Sequence, residues 1–242
     1  MNMPIDFHSH ILSKVDDGSS SIEESLAMLR MEADQGIKHV VATPHFYANV
    51  DTPEKFIRRR GESVQRLEES LREDKNLPKI SLGAEVYYFP GMSNSDVLHE
   101  LTINGTKYIM VELPLSPWTK DMYRELENIY FRQGLIPIIA HMDRYIKVFQ
   151  SYGIPETLKQ LPVLVQANAS FFLKFSTRRM AMRLLREDKI HLLGSDCHNI
   201  LDRKPNLGEA ISYIQNCCST KYLEKIYNYE HKVLTDEIFL IR

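Results

Sequence analysis

The chain has 242 residues, of which 43% are hydrophobic, and its formal net charge is −2. That length suits one large α/β domain, and the hydrophobic fraction is enough for a sizeable core. The small net charge argues against a nucleic-acid binder that works through a broad basic surface.

The cysteines and the apolar runs bear on the cellular compartment. Cys197, Cys217 and Cys218 have no zinc-ribbon spacing and form no disulfide framework, and an odd count fits a reducing cytosol. We find no signal peptide, and no apolar run approaches the roughly 20 residues of a membrane span. We therefore expect a cytoplasmic protein that does not insert into a membrane.

Apolar runs bounded by turn residues predict seven strands that alternate with helices. The predicted strands cover residues 6–10, 37–43, 80–84, 107–111, 136–140, 161–165 and 190–193. The predicted helices cover residues 21–35, 53–75, 120–133, 170–187, 207–217 and 220–227. This alternation indicates a parallel sheet. Because we find no linker, low-complexity segment or short-period repeat, we assign residues 1–242 to a single domain.

Side chains able to bind a metal ion or a phosphate group follow at least six of the seven predicted strands. An open doubly wound sheet usually needs only the strands near its switch point for a ligand. Ligands from nearly every strand favour a closed α/β barrel with its site at the C-terminal ends of the strands. The candidate metal ligands are His8, His10, Asp17, His45, Glu85, Glu112, His141, Asp196 and His198.

The spacing of the candidates supports a metal centre. His8 and His10 are two residues apart, as are Asp196 and His198, and in an extended segment such residues point the same way. Nine ligands exceed what one ion uses, so the set implies two or three ions with bridging carboxylates. Nitrogen and oxygen ligands without thiolate suit Mn²⁺, Fe²⁺ or Zn²⁺.

Two of these assignments have alternatives. Asp16 competes with Asp17: one of them binds metal while the other caps the turn at Gly18. Glu85 also fits a solvated loop residue, since glutamate is common where a strand ends. We interpret four further histidines as structural because they lack ligand-like neighbours in sequence: His39, His99, His191 and His231.

Two arginines follow candidate ligands closely. Arg144 comes after His141, and Arg203 comes after His198. Guanidinium groups pair bidentately with phosphate oxygens. Divalent ions whose charge the carboxylates only partly offset attract an anion and lower the pKa of bound water toward 7. These residues together predict phosphoester hydrolysis. The cluster Arg58-Arg59-Arg60 is instead interpreted as a solvated helix face.

Several motifs together resemble the PHP (polymerase and histidinol phosphatase) superfamily, and more closely the bacterial manganese-dependent tyrosine-protein phosphatases of capsule and exopolysaccharide loci. The resemblance runs from about residue 5 to residue 206. The motifs are His8-Ser9-His10, Asp16-Asp17-Gly18, Thr43-Pro44-His45, Glu112-Leu113-Pro114, Ala140-His141 and Ser195-Asp196-Cys197-His198-Asn199. Cys197 stands where the family has an aliphatic residue or Met.

The resemblance implies a distorted seven-stranded (β/α)7 barrel and a site for three divalent ions, Mn²⁺ first, with Fe²⁺, Co²⁺ or Zn²⁺ as alternatives. It would place one ion on His8, His10, Glu85 and Asp196. A second ion would be bound by Glu85, Glu112 and His141. The third would be bound by Asp17, His45 and His198. Arg144 and Arg203 match the phosphate-binding arginines of the family.

The resemblance also implies a substrate and a mechanism. The substrate would be phosphotyrosine in the tail of a membrane-associated tyrosine kinase that controls polysaccharide export. Hydroxide that bridges the ions would attack phosphorus directly, with no phospho-enzyme. A phenolate of pKa about 10 leaves more readily than a serine alkoxide, which reduces the need for a strong general acid.

Other functions stay open at this point. Within the metal-dependent class, hydrolysis of histidinol phosphate or another small phosphomonoester is the main alternative, and nuclease activity is a weaker one. A protein that binds phosphotyrosine or a kinase without turnover belongs to a different class. Cys197 and Arg203 also fit the C-x₅-R pattern of cysteine-dependent phosphatases, but that loop lacks glycine and its aspartates would raise the pKa of the thiol.

Overall fold

The computed structural model describes residues 4–71, 76–149 and 153–237. The strands are β1 (Ile5–Ser9), β2 (His39–Ala42), β3 (His45–Phe46), β4 (Lys79–Leu82), β5 (Glu85–Tyr87), β6 (Tyr108–Glu112), β7 (Ile136–Ile139), β8 (Leu164–Asn168) and β9 (Leu192–Gly194). The helices are α1 (Ile22–Asp34), α2 (Pro53–Leu71), α3 (Lys120–Gln133), α4 (Met142–Phe149), α5 (Ile154–Leu158), α6 (Ala169–Leu173), α7 (Arg178–Arg186), α8 (Leu207–Cys217) and α9 (Lys221–Leu234). Three short 3₁₀ turns lie between β5 and β6.

All paired strands are parallel, as the sequence predicts, but they form two sheets. One sheet has the order β1-β2-β4, and the other has the order β3-β5-β6-β7-β8-β9. The second and third predicted strands correspond to β2 and β4, and each is followed by a further short strand that was not predicted, β3 and β5. Pro44, which has no N–H to donate, separates β2 from β3. Gly83 separates β4 from β5, and its carbonyl accepts a hydrogen bond from Arg60 instead of a neighbouring strand.

The two sheets are joined where the first strand meets the segment after the last one. The backbone N–H of Asp196 donates to the carbonyl of His8 at 2.7 Å, and that of His10 donates to the carbonyl of Cys197 at 2.9 Å. The α/β class with a curled parallel sheet is therefore confirmed. The strands do not form a single continuous seven-stranded sheet, because the hydrogen-bond ladder between them is interrupted at Pro44 and Gly83.

The hydrophobic core consists of two clusters that follow the alternation of the strands. Val41 and Ile138 belong to a cluster made mainly of strand residues, whereas their neighbours Val40 and Ile139 pack in a larger cluster with the helices. Successive strand residues face opposite sides of a sheet, which explains the division. Both clusters lie behind the strand ends and hold them in place.

Several predicted elements differ from the observed ones. The helix predicted over 170–187 is two helices, α6 and α7, with a break at 174–177. The sixth predicted strand is observed over Leu164–Asn168, three residues later than predicted, and α4 occupies a segment for which no helix was predicted. The predicted extension of α2 over 72–75 lies outside the described residues. None of the described helices combines the length and hydropathy that a membrane span requires.

The arginine cluster on α2 is not a solvated face, and that interpretation was wrong. The guanidinium of Arg60 is buried and donates to the carbonyls of Gly83 and Glu100 at 2.7 and 3.1 Å. Arg59 donates to the carbonyl of Val15 and pairs with Asp51. Only Arg58 of the three is largely exposed. A charge run in sequence does not reveal that backbone carbonyls will face it.

Candidate metal centre

The nine predicted metal ligands lie at or near strand ends and form one connected cluster. β1 supplies His8 and leads into His10, while β3 and β5 begin with His45 and Glu85. The remaining ligands follow or end other strands, apart from Asp17, which lies in the loop after β1. The residues brought together are His8, His10, Asp17, His45, Glu85, Glu112, His141, Asp196 and His198.

The first group of ligand atoms surrounds one carboxylate oxygen. Oε2 of Glu85 lies 3.1 Å from Nε2 of His8 and 3.4 Å from Nε2 of His10. Oδ1 of Asp196 lies 3.7 Å and 3.5 Å from the same two nitrogens. Three of these side chains are fully buried, and Asp196 is 4% exposed. These four residues are the set that the resemblance assigns to one ion.

A second group shares Glu85 with the first. Nε2 of His141 lies 2.8 Å from Oε1 of Glu85 and 3.2 Å from Oε1 of Glu112. Glu85 thus faces histidines with both of its oxygens, as a bridging carboxylate would. The earlier alternative of a solvated loop residue for Glu85 does not apply, because this side chain is fully buried.

The third group is closer to solvent. Oδ1 of Asp17 lies 3.7 Å from Nε2 of His45 and 3.5 Å from Nε2 of His198. The side chain of Asp17 is 67% exposed, so this group forms the open side of the cluster. His10 approaches it as well, with its ring centroid 3.8 Å from that of His198.

The geometry separates the roles of Asp16 and Asp17. Oδ1 of Asp16 accepts from the N–H of Gly18 at 3.0 Å, which caps the turn. Oδ2 of Asp16 accepts from the N–H of His45 at 2.8 Å and lies 2.6 Å from Nδ1 of His10. Asp16 therefore orients two of the histidines, and Asp17 is the residue that faces the ligand group.

Orphaned buried atoms test whether metal ions fit this cluster. Oε2 of Glu85, Nδ1 of His45 and Nε2 of His198 are buried and have no hydrogen-bond partner. Buried polar groups nearly always have a partner, so atoms of this kind indicate an absent one. The donor atoms lie within 4.8 Å of one another in three sets: His8, His10 and Glu85; His45, Glu85 and Glu112; and His10, Asp17, His45 and His198. Oxygen and imidazole donors in this arrangement fit divalent cations.

The electrostatic environment of the cluster favours the ionised form of its carboxylates. Burial would raise the pKa of Glu85, but the neighbouring His8 charge and histidine hydrogen bonds hold it well below its usual value. Burial would lower the pKa of His10, yet the ion pair with Asp16 raises it to about 10. Burial lowers the pKa of His198 to about 3. Ionised carboxylates and the neutral imidazole of His198 are the states that bind cations, whereas His10 must release a proton before it can do so.

The two predicted phosphate-binding arginines converge on one carboxylate. Nη2 of Arg144 donates to Oδ2 of Asp196, and Nη2 of Arg203 donates to Oδ1 of the same residue at 2.7 Å. Both guanidinium groups also line a cavity of about 640 Å³ that opens beside the cluster. With 32% and 38% of their side chains exposed, they are accessible to an anion.

Two predicted ligands have left-handed backbone conformations that non-glycine residues rarely adopt. His141 has φ of 32° and Asp196 has φ of 55°. Such conformations cost on the order of 1–3 kcal/mol and cluster at functional sites. Each residue lies two positions beyond the end of a strand, β7 for His141 and β9 for Asp196, and the turn aims its side chain back toward the cluster.

The predictions missed residues that support the ligands. Oε1 of Gln166 accepts from the N–H of His141 at 2.6 Å and lies 3.2 Å from Nδ1 of His8. Nδ2 of Asn168 donates to Oδ2 of Asp196 at 2.9 Å. The signal was present in the sequence: two amides alternate within an otherwise apolar strand, and such residues share one face.

Comparison with known proteins identifies relatives of this chain. A family model described as capsular polysaccharide synthesis, CpsB/CapC, matches residues 4–235. Tyrosine-protein phosphatase CpsB of Streptococcus agalactiae serotype III (strain NEM316) is 30% identical over 220 residues, which cover 87% of this chain and 89% of that protein. Tyrosine-protein phosphatase YwqE of Bacillus subtilis (strain 168) is 28% identical over 220 residues, with 87% and 84% covered.

The fold is also similar to a solved one. Crystal structures of YwqE from Bacillus subtilis and CpsB from Streptococcus pneumoniae, described as unique metal-dependent tyrosine phosphatases, include a chain that matches with a TM-score of 0.84. The sequence identity there is 24%, and the match covers 98% of this chain and 96% of that one. The family model spans nearly all of the described residues. This chain belongs to the CpsB/CapC family of capsular polysaccharide synthesis.

Proposed function

We propose that this protein is a metal-dependent protein-tyrosine phosphatase that acts in capsular or exopolysaccharide synthesis. The observation that carries the proposal is the convergence of Arg144 and Arg203 on Asp196, at the edge of a buried cluster of imidazoles and carboxylates. A phosphoryl group needs cationic donors on the side that faces away from the metal ions. The relatives named tyrosine-protein phosphatase support the same activity.

The proposed centre holds three divalent ions, Mn²⁺ first, with Fe²⁺, Co²⁺ or Zn²⁺ as alternatives. The four residues around Oε2 of Glu85 would hold one ion, Glu85, Glu112 and His141 a second, and the group near Asp17 a third. Divalent ions bound there supply positive charge for the phosphoryl oxygens and lower the pKa of bound water. His8, His10 and Asp196 fix the inner side of that centre, since they are almost wholly buried.

The two arginines have a second partner in this proposal. Both guanidinium groups pair with the carboxylate of Asp196, which lies between them. When Asp196 ligates a cation, its negative charge is shared, and the guanidinium groups are available to donate to phosphoryl oxygens. Arg144 and Arg203 would then bind and orient the substrate. The planar guanidinium group of each arginine can donate two parallel hydrogen bonds to a pair of phosphoryl oxygens.

Aromatic side chains beside the cluster support an aromatic substrate. The ring of Tyr47 lies 5.1 Å from that of His45 and 5.5 Å from that of Tyr87, measured between centroids. Neither tyrosine is buried, unlike Phe46, which packs on Phe56 in the core. Offset ring contacts are favourable by about 0.5–1.5 kcal/mol, so this pair could hold a tyrosyl ring.

Two further features belong to the proposal. We place residues 1–242 in one domain whose strands form a distorted seven-stranded barrel, supported by the hydrogen bonds that join His8 and His10 to the segment after β9.

The proposed partner is a phosphotyrosine protein, the tail of a membrane-associated tyrosine kinase. The capsular-synthesis family supports that partner class.

The deciding experiment measures phosphate release from a phosphotyrosine peptide by chelator-stripped protein, with and without added Mn²⁺. Asp196→Asn removes the charge of the ligand while asparagine tolerates its left-handed backbone. Asp188→Asn is the matched control, because Asp188 also has a positive φ but lies outside the cluster, where it pairs with Lys225.

We expect Mn²⁺ to restore activity to the stripped wild type and to Asp188→Asn but not to Asp196→Asn. Elemental analysis of the reloaded protein should give three ions per chain. If the protein hydrolysed histidinol phosphate in preference to the peptide, histidinol phosphate would be its substrate instead of phosphotyrosine. Metal-loaded protein that binds the peptide without hydrolysing it would indicate a binding protein instead.

A further inference from the structure

A groove of about 640 Å³ opens directly from the arginine side of the metal centre. Arg144, Asp196 and Arg203 form its inner end, and Lys147, Lys174 and Lys204 line it farther out. We call this cavity the basic groove. Its volume lies in the range of roughly 300–1,000 Å³ that is typical of ligand sites.

The three lysines come from different parts of the fold but lie on the same cavity. Lys147 follows Arg144 by three residues on α4, so the two share one helix face. Lys174 is the residue after α6, and Lys204 is adjacent to Arg203 in sequence. All three are exposed, and no carboxylate of the described residues lies within ion-pair distance of them.

Acidic residues do not neutralise the groove. Asp143 also lines it, but its Oδ1 is engaged by the backbone N–H of Asn168 at 3.0 Å. Asp196 is already paired with both arginines. Asp202 is the remaining acid among the lining residues of the groove. Five cationic side chains and three carboxylates line the groove, so it has an excess of positive charge.

The opposite side of the metal centre carries negative charge. A second cavity, of about 520 Å³, is lined by Asp16, Asp17 and Asp51. Its one arginine, Arg59, is paired with Asp51. A polypeptide that presents its phosphate to the centre thus meets a basic surface on one flank and an acidic surface on the other.

Exposed apolar side chains accompany the lysines. Leu115 and Val148 line the basic groove and are 50% and 48% exposed. Phe175, 83% exposed, lies in sequence between the lining residues Lys174 and Ser176. Exposed apolar residues grouped with polar ones mark protein interaction surfaces more than sites for small anions. The groove therefore fits a polypeptide.

We infer that the basic groove binds an acidic segment of the substrate polypeptide, in which aspartate or glutamate residues flank the phosphotyrosine. Lys147, Lys174 and Lys204 supply the charge that such carboxylates require, and Leu115 and Val148 contact the apolar parts of the segment. This inference rests on the proposed function and adds to it a determinant of substrate choice.

The test compares three peptides that share one phosphotyrosine and differ only in whether the flank on one side is glutamate, glutamine or lysine. A second set places the same flanks on the other side. Binding is measured by fluorescence anisotropy with a non-hydrolysable phosphotyrosine analogue, and kcat/KM is measured with the phosphorylated forms. Since each exposed ion pair contributes modestly, we expect the wild type to prefer glutamate over glutamine flanks by about tenfold. That ratio should fall toward one at high salt.

Charge reversal gives the sharper result. Lys147→Glu/Lys174→Glu should reverse the order, so that lysine flanks bind better than glutamate flanks. Lys38→Glu/Lys79→Glu is the matched control: these exposed lysines lie at the start of β2 and β4, at the opposite ends of the strands. The control should keep the wild-type preference.

The outcomes separate this inference from the proposed function. Equal binding of all three peptides by a wild type that hydrolyses them would overturn the acidic-segment inference and leave the phosphatase intact. A wild type that hydrolyses none of the peptides, together with a charge preference that reverses in Lys147→Glu/Lys174→Glu, would support the acidic-segment inference and overturn the phosphatase. A preference for a second phosphotyrosine over glutamate, or binding of anionic lipid vesicles that the same variant abolishes, would also overturn it.

Discussion

Nδ1 of His10 lies 2.6 Å from Oδ2 of Asp16, and the opposite ring nitrogen, Nε2, faces Glu85 and Asp196. A carboxylate on one imidazole nitrogen fixes the orientation of the ring and makes the other nitrogen a better metal ligand. The same carboxylate oxygen accepts from the N–H of His45. One aspartate thus orients two residues of the cluster while its oxygens contact His10, Gly18 and His45.

We predict that Asp16→Asn weakens metal binding by about 10–100-fold, because the orienting ion pair with His10 is lost. Calorimetric titration of the chelator-stripped protein with Mn²⁺ measures this effect. Asp188→Asn removes an exposed ion pair on the protein surface and should leave the affinity unchanged. Equal affinities in the two variants would contradict the role assigned to Asp16.

Arg203→Lys should lower kcat/KM for a phosphotyrosine peptide by about 10–100-fold. Lysine keeps the charge but loses the fork, and hydrogen bonds to charged groups contribute about 1.5–3 kcal/mol. The inhibition constant of inorganic phosphate should rise in parallel. Arg58→Lys, on the exposed side of α2, is the control and should resemble the wild type. If neither kcat/KM fell nor the inhibition constant of phosphate rose, Arg203 would not belong to the phosphate site.

Gly194→Ala should destabilise the protein by about 1–3 kcal/mol, as overpacking does. A Cβ at this position would lie 2.5 Å from Cβ of His8 and 2.9 Å from Nε2 of Gln166. Chemical denaturation measures the change in the free energy of unfolding. Gly61→Ala, in α2 with nothing within 4 Å of the added atom, should instead stabilise by about 0.5–1 kcal/mol. Similar values for the two variants would mean that the close approach to His8 is relaxed at little cost.

Acid should destabilise the protein partly through His191, whose Nδ1 accepts from the N–H of Val165 at 3.0 Å. Burial lowers the pKa of this imidazole to about 4. An unfolded chain, with a histidine pKa near 6.5, then binds the proton first. Stability from this group is complete above about pH 6.5 and is lost as the pH falls to about 4, by up to about 3 kcal/mol.

The check on His191 is the free energy of unfolding at several pH values between about 7 and 4 for wild type and His191→Asn. Asparagine can offer an acceptor near Nδ1 but does not titrate. The variant should show a shallower decline with acid. An identical slope in both proteins would assign the acid sensitivity to other groups.

Cys197→Ala should retain phosphatase activity, whereas chelation of metal should abolish it. The thiol is fully buried, and burial raises its pKa well above the usual value, so it is not a thiolate at neutral pH. Measurement of peptide turnover with and without EDTA for both proteins decides the matter. Loss of turnover in the variant together with resistance to EDTA would support the cysteine mechanism that the spacing of Cys197 and Arg203 suggests.

The sequence by itself determined which residues enter the site. In His8-Ser9-His10 and Asp196-Cys197-His198 the alternation of an extended chain sets which side chains point together, and this depends only on local geometry. The ends of parallel strands meet at one edge, so ligands that follow different strands were predicted to converge. The alternation of strands and helices determined the α/β class in the same way.

The tertiary structure alone decided how these residues divide their roles. Asp16 and Asp17 are equivalent in sequence, and only the fold places one against His10 and leaves the other open toward His198. Arg60 looks like a surface charge until Gly83 and Glu100 present carbonyls to it. Such contacts join residues that are distant in the chain, so they depend on the register of the strands and the course of the loops, which no local pattern encodes.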